Sequence, residues 1–281
     1  LVMHAIRMVH DLNPRYVLIE NVTDFIITPI MYNGVETMLP DVIHQELDDE
    51  YDVDIHTIDT DDYGIPQTRD RMIILMTRHG VRRRWTLPPV EQHKVTMEEA
   101  IGHLPIVDPF IKDLPQEEFL RLFPHYEERR REALAISPWN IPPVHVWRQV
   151  RAMMYTPTGQ TAFDNEPEYR PIKADGTFVR GYRNTYKRQN WNTPAYTVTM
   201  DNRKISSQNN VHPGRLVGQD ANGHDIYSDA RTLTLYELMK VMSLPEDWNV
   251  PVNTDEAFLR RIIGEGIPPL FIRKLFAQIV Q

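Results

Sequence analysis

The 281-residue sequence contains no cysteine. That excludes disulfides, thiolate metal sites and any cysteine nucleophile supplied by these residues. No run of eighteen apolar residues occurs, so no membrane-spanning helix is expected. The opening stretch, Leu1-Val2-Met3-His4-Ala5-Ile6-Arg7-Met8-Val9-His10, lacks the charged start and small-residue cleavage site of a signal peptide. It reads instead as an amphipathic helix, and a start at Leu1 inside a helix is the expectation for part of a longer chain. The eleven histidines show none of the spacing of a metal centre, so no metal is expected. Internal repeats and low-complexity tracts are also absent. A cytoplasmic setting follows as the expectation.

Basic residues are scarce where acids are dense. Between Pro40 and Pro66 there are ten acids and no Lys or Arg, within an overall net charge of −8. From Asn140 to Asp220 the balance reverses, with eleven Lys or Arg against six acids, 11 − 6 = +5. A positive segment on an acidic chain is the footprint of a polyanion site on a solvated scaffold.

The first third alternates elements. A helix over 1–12 stops before Asn13-Pro14, and a strand at 16–20 follows. A helix near 36–50 carries Met38, Val42, Ile43 and Leu47, and strands lie around 52–58 and 71–77. Such alternation predicts an α/β fold with a mostly parallel, doubly wound sheet. Thr96 with Glu99 is a capping-box signal for a helix at about 97–103. Residues 105–143 are Pro-rich, with one charged helix at 116–134. From 144 to 220 helical periodicity largely gives way to short β-like runs such as Tyr196-Thr197-Val198-Thr199, and helices return at 232–243 and 255–281. The expected partition is 1–104, 105–143, 144–229 and 230–281, an α/β scaffold interrupted by an irregular β-rich insert and then resumed.

Two stretches carry chemistry. Glu20 ends the apolar run Tyr16-Val17-Leu18-Ile19, followed by Asn21 and Val22, and Gln67-Thr68-Arg69-Asp70-Arg71 leads into Met72-Ile73-Ile74-Leu75. Alternate residues entering a strand share a face. Arg69 and Arg71 therefore either pair with acids such as Asp61 and Asp62 or present donors to an anionic or carbonyl-bearing ligand. A protonated carboxyl with a guanidinium suits cytosine, donating to N3, accepting from the exocyclic amine and donating to O2. Reaching that edge in duplex DNA requires extruding the base.

Glu20-Asn21-Val22 and Gln67-x-Arg69-x-Arg71 resemble two ordered signature blocks of the DNA cytosine-5 methyltransferases. Arg231-Thr232-Leu233-Thr234-Leu235-Tyr236-Glu237, followed by Pro245-Glu246-Asp247, resembles a third, and Gly264-Glu265-Gly266-Ile267-Pro268-Pro269 a fourth. The resemblance implies an incomplete doubly wound, Rossmann-like methyltransferase sheet with a target-recognition domain inserted at 144–229. It implies that Glu20 binds and protonates cytosine N3, that Arg71 contacts O2, that Arg69 braces the site, and that Asn21, Val22 and Gln67 support the pocket. Gly264, Glu265, Gly266 and Ile267 would contribute to an S-adenosylmethionine site, with Glu265 a departure from the usual Asn. Arg183, Lys187, Arg188, Thr197, Thr199, Lys204, Ser207 and Gln208 would meet double-stranded DNA, the cations and amides through phosphates and base edges. Trp191 and Tyr196 are expected in the core of that segment, and His145 and His212 in structural roles.

The family's nucleophile is a cysteine in a Pro-Cys-Gln block upstream of Glu-Asn-Val, after a Gly-rich cofactor block. Neither occurs in these residues. The expectation is therefore the C-terminal part of such an enzyme, inactive alone and completed by an N-terminal segment or a separate chain. The alternative is a non-catalytic specificity subunit of a split methyltransferase. A restriction-modification or phage setting is equally open.

Overall fold

The computed structural model describes residues 1–280; Gln281, where the expected last helix was to end, lies outside them. The chain forms two compact units, which cut across the expected partition. The first comprises residues 1–64, 69–93 and the segment from Leu270 onward; the second comprises 65–68 and 94–269.

In the first unit, helix α1 (Val2–Leu12) leads to strand β1 (Tyr16–Asn21). A hairpin of β2 (Pro29–Tyr32) and β3 (Val35–Met38) precedes helix α2 (Leu39–Leu47). Strands β4 (Tyr51–Asp59) and β5 (Asp70–Arg78) complete the sheet. The helix expected from 36 starts only at Leu39. Asn33-Gly34, both at positive φ, makes the two-residue turn that matches hairpin twist and draws 35–38 into a strand.

The sheet order is β1-β5-β4, with both pairings antiparallel. The expectation of a mostly parallel sheet fails among these strands. Residues 60–69 return β5 directly alongside β4, too short a connection for a helical crossover, so β5 runs against both neighbours. β1 and β4 are mutually parallel but do not touch as partners. One sheet face, with Met72, Ile74 and Met76, packs on Ile6 and Val9 of α1 and on Leu39, Val42, Ile43 and Leu47 of α2.

The second unit contains α3 (Met97–Ile101), β6 (Phe110–Ile111), α4 (Gln116–Leu122), α5 (Tyr126–Ile136), β7 (Val144–His145) and α6 (Trp147–Met154). The Thr96–Glu99 capping box of α3 forms as read. The single helix expected over 116–134 is two, because Pro124 keeps Phe123 out of the helical region, at φ −125° and ψ 68°. α6 is a regular helix within the segment expected to lack them. Beyond it the chain is irregular, held by 3₁₀ turns and isolated bridges, with one small pair of strands, β8 (Leu216–Gln219) and β9 (Asp225–Tyr227). α7 (Leu235–Val241) and α8 (Glu256–Glu265) follow. The last helix, α9 (Pro269–Val280), belongs to the first unit from Leu270 onward; Gly266-Ile267-Pro268 separates it from α8. Pro269 sits at its first position, where no N–H is needed. Among the described residues no helix is long and apolar enough to cross a membrane.

Candidate functional site

Antiparallel pairing brings the end of β1 beside the start of β5. Glu20 lies opposite Ile73, so Arg71, two residues earlier on β5, is its diagonal neighbour on the same face. Arg71 Nε stands 2.8 Å from Glu20 Oε1, with the two side chains 15% and 21% exposed. Arg71 Nη1 also donates to the Asp70 carbonyl at 2.6 Å. The pair is thus partly buried, accessible from one side, and formed by the two residues singled out in the sequence. Neither of the acids considered as alternatives, Asp61 or Asp62, is the partner of Arg71 in this ion pair.

Arg69 is buried just before β5 begins. Its backbone N–H donates to Asp59 Oδ1 at 2.8 Å, and its carbonyl accepts from the Thr60 N–H at 3.2 Å. Burial and the adjacent Arg71 push its guanidinium down to about 10, against the pull of Glu20. Asn21 turns its Oδ1 to the Val22 N–H at 2.8 Å, closing the strand end, and Val22 is exposed.

Gln67 does not share a strand face with the arginines. It belongs to the second unit, fully buried, where its Oε1 accepts from the Val198 N–H at 2.9 Å and its Nε2 donates to Met242 Sδ. The Thr68 N–H and Pro66 carbonyl both pair with Ala195. Its amide is spent on tying 65–68 to 195–198.

The four residues of the last block separate. Gly264 is a packing glycine: a Cβ there would lie 2.4 Å from the Thr199 carbonyl oxygen. Glu265 points toward solvent beside Arg261, 3.8 Å away. Gly266 and Ile267 line an apolar cleft of about 310 Å³ with Met242, Leu244, Pro245 and Trp248.

The expected DNA-facing residues also divide. Thr197, Thr199 and Gln208 meet around a polar recess of about 220 Å³, joined by Thr68, Tyr196 and Asn209. Lys187 Nζ donates to the Tyr196 hydroxyl at 3.0 Å and lies 5.0 Å from that ring's centre. Lys204 and Ser207 both donate to Asp201 Oδ2 at 3.2 Å, and exposed Arg183 pairs with Asp164. Arg188 is the exception. It is wholly buried, its two terminal nitrogens donating to the carbonyls of Met153, His212, Ser228 and Asp229, and burial pushes it down to about 9. A guanidinium capping four carbonyls has no geometry left for a phosphate. Trp191 is core, with its Nε1 donating to Gly214, while Tyr196 is half-buried.

The sequence reading missed a buried charge cluster. Arg231 donates through Nη1 and Nη2 to both oxygens of Glu237, at 2.8 and 2.9 Å, and through Nη2 to Asp229 Oδ1 at 2.6 Å. Burial disfavours its charge, but Glu237 and Asp229 hold it above the ordinary arginine value. Burial alone would raise Asp229, yet His212 and Arg231 hold it at about 2. His145 and His212 are structural: burial pushes them down to about 3 and about 4, with Arg231 adding to both shifts. The signal was present, since Thr234-x-x-Glu237 is a second capping box. Among the described residues no group of three or more His, Asp or Glu could hold a metal ion.

Across residues 1–281 the chain matches the family described as C-5 cytosine-specific DNA methylase. It is 37% identical over 279 residues to the Type II methyltransferase M1.HgaI of Avibacterium volantium, covering 99% of this chain and 70% of that protein. A shorter match, 32% over 114 residues, is to the Type II methyltransferase M.XorII of Xanthomonas oryzae, covering 39% of this chain and 25% of that one. A DNA modification methyltransferase encoded within a prophage (E. coli) aligns with TM-score 0.55 and 17% identity, over 99% of this chain and 72% of that structure. A Spodoptera frugiperda DNMT2 variant aligns with TM-score 0.53 and 13% identity, over 99% and 71%. At such identities the structural likeness concerns fold, a mixed α/β, Rossmann-like architecture.

Proposed function

This chain belongs to the C-5 cytosine-specific DNA methylase family, and we propose that it supplies the cytosine-holding and DNA-reading parts of a Type II methyltransferase acting on a specific duplex sequence in the cytoplasm. The observation that carries this reading is the Glu20–Arg71 pair, an acid and a fixed fork of donors within 2.8 Å at adjoining strand ends. A cytosine extruded from the duplex replaces one partner for each. Its O2 accepts from Arg71, while Glu20, released from that ion pair and taking up a proton from solvent, turns to N3, donating that proton there and accepting from the exocyclic amine. Arg69 stays behind and braces the site, its backbone held by Asp59 and Thr60 just before β5. Protonation at N3 withdraws electron density from C6, so that a thiolate can add at that carbon. No residue of this sequence offers that thiolate. We therefore infer that the 281 residues alone do not transfer methyl groups and act with a further Cys-bearing segment or chain.

Family membership implies S-adenosylmethionine, which supplies an electrophilic methyl when bound. The residues here fit part of it. Gly266 and Ile267, in an apolar cleft that includes Trp248 and the Met242 thioether, suit an adenine or a sulfonium-bearing chain; the lining carries no cation or acid for an amino-acid head. Gly264 and Glu265 are not part of that lining.

The target-recognition role falls to 144–229. Thr197, Thr199 and Gln208 around one polar recess, with Lys187 bonded to its Tyr196, support it, and Arg183, Lys204 and Ser207 offer phosphate donors once released from Asp164 and Asp201.

Glu20→Gln tests the core of the reading, assayed with labelled methyl donor in the enzyme completed by a thiolate-bearing segment. Turnover should fall by about 100-fold or more, the scale of general acid catalysis, with duplex affinity unchanged. Equal loss of binding and turnover would make Glu20 a structural residue.

A further inference from the structure

At the opposite end of the same strands lies a second charged feature. β1 begins at Tyr16, β5 ends at Arg78, and the turn after β5 closes back over both. Arg15, Arg78, Arg82 and Arg83, with His79, Tyr16, Gly80, Val81 and Ile279, surround an open recess of about 530 Å³. No acid lines it. Five residue steps along β1 take the chain from Arg15 to Glu20, about 17 Å at the usual rise, so this recess is distinct from the cytosine pocket.

The backbone around it is firmly held. The Arg78 N–H donates to the Arg15 carbonyl at 3.0 Å, and the Val81 N–H to the Arg78 carbonyl at 3.1 Å, across a turn with Gly80 at φ +82°. The Tyr16 hydroxyl donates to the Arg83 carbonyl at 2.8 Å, and Arg78 Nη1 to the Asn13 carbonyl at 2.6 Å. Two nearby acids are engaged elsewhere, Asp54 with Arg84 at 2.7 Å and Glu50 with His10 at 3.4 Å, while Asp52 lies 3.7 Å from His79 at the edge of the recess. Like charges gathered around one recess disfavour one another, and on a chain of net charge −8 such a cluster is not explained by overall composition. Planar guanidinium forks bind phosphate oxygens bidentately, and several forks around one recess suit an anion that offers more than two oxygens.

We propose that this recess binds a phosphate-class anion, through Arg15 and Arg82 at its exposed rim with Arg78 at its wall. Free phosphate compounds and the phosphodiester backbone of a nucleic acid share that chemistry. The site stands independently of the methyl-transfer reading, since its ligand is recognised by charge and shape alone.

The test uses the full chain and inorganic pyrophosphate as probe, following the thermal midpoint at ionic strength matched with chloride. Pyrophosphate should raise the midpoint of the wild type. The double variant Arg15→Gln/Arg82→Gln should lose that shift, and Arg15→Lys/Arg82→Lys should retain most of it. A parallel titration of a non-specific duplex separates the sources. If the backbone is the occupant, the log–log salt slope of the Gln variant falls by about 0.9 per lost phosphate contact. If the slope stays and only the pyrophosphate shift goes, free phosphate compounds are the ligand. No pyrophosphate shift in the wild type, or an equal shift in the Gln variant, overturns the proposal. Should the variant unfold earlier with no anion response in either protein, the arginines serve the nearby end of α9 instead.

Discussion

Replacing Arg231 by Met removes the donor from two buried carboxylates while keeping volume and apolar contact. In the wild type its side chain makes bonds of 2.6 to 3.1 Å to Asp229, both oxygens of Glu237, and the carbonyls of Val107 and Thr232. Glu237 keeps the Thr234 N–H and His212 at 3.6 Å, and Asp229 keeps the Val107 N–H, the Ser228 hydroxyl and His212 at 3.9 Å. Breaking a buried pair by deleting one partner costs about 3–5 kcal/mol, because the remaining charge stays desolvated. For a protein this large, each kcal/mol lowers the thermal midpoint by roughly 2–4 °C, so a drop of about 10 °C is expected. Calorimetry at neutral pH measures it directly. Arg231→Lys should fall between, since one ammonium cannot serve both carboxylates in fork geometry. A decrease of only a degree or two, the scale of a surface pair worth under about 1 kcal/mol, would refute the assignment of this block to the core.

His145 and His212 have folded values of about 3 and about 4, below the ordinary 6.5, so the folded state binds fewer protons than the unfolded one once pH drops under 6.5. Their stabilisation is complete above that pH and is lost as pH falls toward 4, at about 1.4 kcal/mol per pH unit for each. Denaturant titrations from pH 7 to 4 should show this slope, and His145→Asn should reduce it by about half; an unchanged slope would count against the burial argument. Gly264→Ala places a Cβ 2.4 Å from the Thr199 carbonyl, so the α8 contact must shift and the midpoint should fall by several degrees. A neutral substitution there would mean that the close approach relaxes without cost. Lys187→Ala should weaken duplex binding and reduce its salt dependence with little effect on stability. Arg188→Ala should do the reverse, and interchanged outcomes would reverse the two assignments.

How far the site could be read from the chain varied residue by residue. Glu20 and Arg71 stand out by their place at the ends of two apolar runs, but it is the antiparallel register of β1 and β5 that makes them neighbours. The capping boxes at Thr96 and Thr234 are equally local signals, each complete within four residues. Arg183, Lys187 and Arg188 look equivalent in sequence, all cations among aromatics and amides. What separates them is which carbonyls surround each side chain, and those of Arg188 come from Met153, His212, Ser228 and Asp229, far apart in the chain.

By itself the sequence determined the places of α1, β1, β4, β5 and the body of α2 in the first unit, the absence of a thiol, and the family blocks. These rest on periodicity, turn residues and side-chain type, all of short range. The tertiary structure decided that β5 runs antiparallel to both neighbours, that Gln67 and Gly264 hold backbone segments together, and that Arg231 and Arg188 are buried structural cations. Each depends on which distant segment comes to lie alongside. A pairing direction, a close approach of 2.4 Å at Gly264 or a carbonyl cage around a guanidinium is set by the packing of whole elements, and no local pattern encodes it.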